Sequence, residues 1–501
     1  MLFIRRFFPI FVISINISWY LLSPGIVTAN NLPDIGNSAE LLMSPEDEKR
    51  LGKEFMRQVR YSLKLEDDVT SNEYIQTLGN KLASQIDTRG QTFSFFIVAD
   101  STINAFAGPA GYIGVHTGLI EAAQTEGELS SVIAHEIAHV VQRHLLRSIE
   151  SSQNMSLATF GAMLAAILLG GQVGGQVSEA VIASTVAGTT QRQLSFSRAH
   201  EQEADRVGIE MLFRAGYNPD DMAKFFEILQ QKSRYAQHNI PEYLLTHPIT
   251  VSRIADTRGR AAAYNKANAD AVSARNPSQE KVTQFELVKA RLKVLAENKT
   301  NDAELIANLE SSIKKSGIVN HVKIYELALR YHQNGQYAKA RKLLADLLQT
   351  EPQRIAYVIA AVENEISAKN YAAAITLIQE PLLVYPNNFA LTTLYANALL
   401  LNNQPNKAME LLQNLIRSER YTPETYKLLA TAAKDAGQES EAYEAMGNYY
   451  YDLGQINNAI NHFEEALGKS NNNKFRELRL KARISQLKDE LLKIRTEEQK
   501  P

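Results

Sequence analysis

A chain of 501 residues exceeds one compact core, and 45% apolar with 22% charged residues is the balance of ordinary globular protein, so two or three domains are expected. The absence of cysteine excludes disulfides and every thiolate metal site, leaving His and carboxylates to hold any metal. A formal net charge of −2 without a basic run offers no footprint for nucleic acid.

Residues 1–29 follow the plan of a secretory signal, with Arg5 and Arg6 ahead of an apolar stretch from Phe7 to Leu22 and small residues at Val27-Thr28-Ala29. The competing reading is an uncleaved anchor, but Pro9, Asn16 and Ser23-Pro24-Gly25 shorten the stretch. An exported chain without a transmembrane segment after cleavage is therefore expected. No cysteine follows Ala29 to carry a lipid.

Between Ser44 and Asp87 two segments space apolar residues at three and four, which predicts amphipathic helices. Thr92–Val98, Ile103–Ala107 and Tyr112–Val115 read as short strands around a Gly-Pro-Ala-Gly turn. The segment Ser101–Val115 should include an edge strand, with Asn104, Ala105, Phe106 and Ala107 able to bind an extended peptide backbone. Thr125 and Glu128 match a capping box, and the apolar series from Leu129 through Leu145 predicts one helix.

That helix carries His135-Glu136-Ile137-Ala138-His139. Residues four apart share a helix face, so His135 and His139 can both address one zinc ion, while Glu136 stands slightly aside and can reach a water at the metal without ligating. A catalytic zinc needs a third protein ligand. Helical context downstream, in Ser197–Asp205, offers Glu201 and Glu203, and spacing does not choose between them; His200 reads as a surface residue.

Leu157–Leu169 is almost wholly apolar and, with the small-residue stretch up to Thr190, forms either a buried hairpin or a mobile cover for the cleft. Helices are predicted over 198–215 and 220–233, and polar residues after Ala261 place a domain boundary near 271–284. Beyond it, Ala340, Ala374, Ala408 and Ala442 recur every 34 residues, with small residues twelve earlier at Ala328, Val362, Ala396 and Ala430. This period resembles the tetratricopeptide repeat. Ala459 follows after only 17 residues, so one helix, roughly Tyr443–Asp452, should serve two units. Phe285–Lys315 fits the period poorly and reads as a divergent repeat or cap. The charged segment from Lys474 reads as a closing helix.

HEIAH together with EQEAD (Glu201 to Asp205) resembles the zinc metallopeptidase family that includes the CAAX prenyl proteases and the heat-shock protease HtpX. The order of signal, zinc domain and repeats, with Leu245-Thr246-His247-Pro248 and then Arg253, is similar to a periplasmic branch of that family across nearly the whole chain. The resemblance implies a mainly α chain: an α+β zincin-like metallopeptidase domain (30–270) with a small sheet, a linker (271–284), and an all-α tetratricopeptide-repeat solenoid with a capping helix (285–501). It implies one zinc held by His135, His139 and Glu201, with Glu136 catalytic and Asp205 steadying a ligand histidine. It further implies that His247 can fill the metal's open position and silence the enzyme. Arg253 is read as orienting this loop or stabilising an oxyanion.

The implied clients are unfolded or misassembled outer-membrane β-barrel proteins, and the implied partner of the repeats is the β-barrel assembly machinery. The alternative is a repeat-based assembly scaffold or chaperone with a silenced peptidase. One departure stands out: the resemblance implies a disulfide between the two domains that this chain cannot form, so packing alone is expected to hold them.

Overall fold

The computed structural model describes residues 43–151, 197–235, 241–267, 282–297, 302–316, 320–386, 388–470 and 473–498. The expected signal, the apolar segment at 157–190 and nearly all of the expected linker lie outside the described residues.

The N-terminal part opens with α1 (Pro45–Ser62) and α2 (Val69–Ala83), followed by β1 (Ser94–Val98), β2 (Ala105–Ala107) and β3 (Tyr112–His116). The sheet order is β1-β3-β2, with β1 parallel and β2 antiparallel to β3. β2 is therefore an edge strand. Asn104, expected within it, precedes the strand, although its carbonyl still accepts from His116 N. Phe106 pins this edge: its ring lies over Gly114, where a Cβ would come within 2.4 Å, and meets Phe55 and Phe96 edge-on.

A short α3 (Thr117–Ala122) leads to α4 (Glu126–Val141), which carries the HEIAH sequence. Thr125 caps α4 by accepting from Glu128 N; the Glu128 side chain returns to Gln124 N rather than to Thr125 N, so the predicted box is displaced by one residue. Nearly every α4 residue is buried, as expected of a central helix apolar on all sides. The predicted continuation through Leu145 is broken: Arg143 adopts φ 52°, and α5 (His144–Ser151) starts in a new direction.

Helix α6 (Arg198–Arg214) crosses α4, and α7 (Asp220–Tyr235), α8 (Tyr243–Thr246) and α9 (Val251–Ala267) close the layer. Gly208 permits the crossing, because its missing Cβ would sit 2.9 Å from Met222 and 3.4 Å from His135 N. Glu201, Ala204, Asp205 and Gly208 are spaced three and four apart and are all buried. One face of α6 thus delivers two carboxylates to α4.

Helices α10 (Gln284–Ala296) and α11 (Asp302–Ser316) precede the regular repeats. α10 serves both cores: Phe285, Val288 and Leu292 join the N-terminal cluster, while Leu287, Ala290 and Val294 join the first repeat cluster. The pairs α12/α13 (His321–Gln333, Tyr337–Thr350), α14/α15 (Ile355–Ser367, Tyr371–Val384), α16/α17 (Phe389–Leu401, Pro405–Arg417) and α18/α19 (Pro423–Asp435, Glu439–Asp452) each join a helix of 13 residues to one of 13 or 14. Ala340, Ala374 and Ala408 are fully buried where the helices meet, whereas Ala442 is only half-buried, its place in the core taken by Ala445. α19 packs on both α18 and α20 (Ile456–Gly468), the sharing implied by the half-period, and α21 (Lys474–Glu498) covers α20. The architecture is mainly α, an N-terminal domain with a small sheet followed by a tetratricopeptide-repeat solenoid.

The two parts touch at α2 against α10 and α16, and at α1 against the end of the solenoid. There Arg57 pairs with Glu490 at 3.0 Å and lies over the Tyr451 ring, and Arg60 donates to Asp452 O at 3.0 Å. The expectation of packing alone therefore needs correction, since buried charge also joins the two domains. Arg291 of α10 bridges Asp68, which caps α2, and Glu363 of α14.

Candidate metal centre

His135 and His139 stand one turn apart on α4, and their Nε2 atoms approach to 2.9 Å. Glu201 from α6 reaches both, at 3.5 Å from His135 Nε2 and 3.4 Å from His139 Nε2. His247, at the end of α8, places Nδ1 3.0 Å from Glu201 Oε1 and 3.3 Å from His135 Nε2. All four side chains are buried, and one donor atom from each lies within 4.8 Å of the others.

The proton inventory fits a cation. Asp205 Oδ1 can only accept and lies 2.9 Å from His135 Nδ1, which favours the proton on Nδ1 and a lone pair on His135 Nε2. His139 is engaged at its own Nδ1 by His144, 2.9 Å away. Two imidazole lone pairs and a carboxylate thus face one another, and although Arg253 reaches Glu201 at 2.6 Å, a bound cation would satisfy all three at once. Tetrahedral zinc with nitrogen and oxygen ligands would set its donors about 3.3 Å apart, within the observed spread.

Electrostatics supports the same ordering. Burial pushes the Asp205 carboxyl up, but hydrogen bonds and charge from Arg253 override it and hold the group below its ordinary range. Glu201 likewise stays ionised against burial through its histidine neighbours. Glu136 differs: burial pushes it up to about 7, and its Oε1 has no hydrogen bond with the described residues, the closest positive candidate being His247 Nε2 at 3.5 Å. The backbone N–H of Ala107, on the edge strand, faces the same carboxylate and opposes that rise.

Residues 70–261 match the model of peptidase family M48. Over 466 residues, 93% of each chain, this sequence is 32% identical to the β-barrel assembly-enhancing protease of Yersinia pestis. It is 32% identical to the protein of that name from Escherichia coli K12, covering 92% of each, and 34% identical to the putative one from Vibrio cholerae, covering 91% of this chain and 92% of that one.

The chain belongs to peptidase family M48. As a member of M48 it is a metallopeptidase, and the four-donor cluster lies inside the matched segment. Of the two carboxylates that spacing left open, Glu201 is in the cluster, while Glu203 points to the other side of α6 and binds His144 Nε2 at 3.1 Å and Arg147 at 3.0 Å. His200 is half-buried rather than a surface residue, its ring stacked on His144 with centroids 4.4 Å apart. Arg253 spans Asp205, Glu201 and the Pro248 carbonyl, and so ties α6 to the His-Pro loop. Sequence reasoning did not single out His144 or Tyr243. Tyr243 stacks on His247 at 4.7 Å, and its N–H donates to Ile103 O beside the edge strand.

Proposed function

We propose that the chain is a periplasmic zinc metalloendopeptidase, restrained by its own His247, that acts on unfolded or misassembled outer-membrane β-barrel proteins. The observation that carries this reading is the position of the His247 ring, between the donor cluster and Glu136. His135, His139 and Glu201 would hold one zinc, and His247 would take the place that an active site leaves to water. Bound zinc would supply Lewis acidity, acidifying the attacking water and polarising the scissile carbonyl. Glu136 takes the proton of that water and returns it to the leaving amine. Asp205 fixes the tautomer of His135, and Arg253 orients the loop bearing His247 rather than facing a reacting carbonyl.

Substrate would add to the open edge at Asn104, Ala105, Phe106 and Ala107, a mode that reads extended backbone and so favours unfolded chains. The Tyr243 N–H already bonds Ile103 O there, so a strand arriving at this edge competes with the anchor of the restraining loop. The β-barrel clients and the docking of the repeats on the β-barrel assembly machinery rest on the names of the relatives and on the export signature at 1–29. The same placement of His247 favours the second reading, an assembly scaffold or chaperone whose peptidase stays silent.

His247→Ala is expected to hydrolyse casein about 10- to 100-fold faster than wild type, as when a closed population of 90–99% is released. Rates are to be read beside zinc content. A variant that keeps its zinc and cleaves no faster removes the restraint from the proposal, and zinc-loaded proteins that do not cleave at all put the scaffold forward.

A further inference from the structure

His144 is as deeply buried as the four clustered donors, yet no step of the proposed reaction uses it. It reaches its place through the break at Arg143, whose left-handed φ of 52° ends α4 and turns the next residue back. The His144 ring then meets His139 edge-on, with centroids 4.8 Å apart. Its Nδ1 lies 2.9 Å from His139 Nδ1, and its Nε2 lies 3.1 Å from Glu203 Oε2. Arg147 donates to the same Glu203 oxygen at 3.0 Å, and His200 stacks on the other face of the ring.

The direction of these bonds follows from the carboxylate. Glu203 only accepts, so His144 Nε2 carries the proton. The neutral ring then has a lone pair at Nδ1, which makes His139 Nδ1 the donor. His139 is left with a lone pair at Nε2, facing His135 and Glu201. Resting on the zinc reading above, we infer that His144 and Glu203 are positioning residues for the metal, a two-link relay that sets the tautomer and ring angle of His139 as Asp205 does directly for His135. The two ligand histidines are thus held by unlike means. Asp205 puts a carboxylate against the first, while a neutral imidazole stands between the second and Glu203.

A packing role alone predicts that any side chain filling the space serves as well. The relay predicts otherwise. His144→Leu fills the space without an acceptor, whereas His144→Asn can present Oδ1 where Nδ1 stood. Zinc affinity of the full chain, by competition with a chelator, is expected to fall about 10- to 100-fold in His144→Leu and to stay within about threefold of wild type in His144→Asn. The visible spectrum of the Co²⁺-loaded proteins should change in the first and be kept in the second. In wild type, ring ¹⁵N shifts should report a proton at Nδ1 of His139 and at Nε2 of His144, a reading that stands even where a variant does not fold. Unchanged affinity in His144→Leu, equal losses in both variants, or a proton on His144 Nδ1 would each overturn the relay. Wild-type protein that takes up no zinc would sink the zinc reading itself, a distinct result.

Discussion

Glu136→Gln, made in the His247→Ala background so that the restraining ring is absent, is expected to lower kcat for casein by about 10²–10⁴-fold, the usual contribution of a positioned acid–base group. Gln matches Glu in size, but it cannot take a proton. Glu136 is not one of the four converging donors, so the variant should keep its zinc at one ion per chain. The two readouts together are decisive. Lost activity with retained zinc assigns chemistry to Glu136, whereas lost zinc would make it a ligand, and activity above a tenth of the parent would remove it from the mechanism. The same variant separates protease from scaffold: support of β-barrel assembly persists in Glu136→Gln if the repeats do that work.

The centre was partly legible because helix geometry is local. Four-residue spacing is enough to put His135 and His139 on one face. The choice between Glu201 and Glu203 was not open to spacing alone, since both sit on one helix within two residues. What decides it is the buried face made with Ala204, Asp205 and Gly208, and that face is set by the close crossing over His135 N. His144 was hidden by a conformational event without a sequence marker. A left-handed residue usually announces itself as glycine or asparagine, and here it is Arg143, so the apolar series read straight through the break. Repeat boundaries were clearer, because alanines 34 residues apart report a contact made again and again. Partners from distant segments were the least legible of all. Asp68, Arg291 and Glu363 have no shared pattern, and only the closure of the solenoid against the peptidase domain brings them together.

Arg291→Met is expected to cost about 3–5 kcal/mol, because it leaves charges uncompensated in a nearly dry interface. The guanidinium donates through Nε to Asp68 at 2.8 Å and through Nη1 and Nη2 to Glu363 at 2.8 and 2.6 Å, with Arg291 and Asp68 side chains only 6% exposed. In a chain without disulfides this bridge fastens the cap of α2 to the second repeat pair. Two domains need not unfold as one, so the measurement is calorimetry with limited proteolysis. The variant should unfold at a lower temperature or with its domains further uncoupled, and should be cut sooner between the domains. The acid limb gives an independent check with a definite sign. Burial pushes the Asp68 carboxyl up, but the charge and hydrogen bonds of Arg291, with those of Ser71, hold it below its ordinary value. A depressed carboxyl stabilises the folded chain above the unfolded pKa, about 3.9, and that stability is lost as pH falls through the folded value. The gap between wild type and Arg291→Met should therefore be wide near neutral pH and narrow as pH falls through the carboxylate range, where Asp68, left buried without Arg291, protonates first in the variant. A gap that is absent at pH 6, or that grows in acid, would mean that the bridge does not hold the domains together and that the packing of α10 into both cores does so unaided.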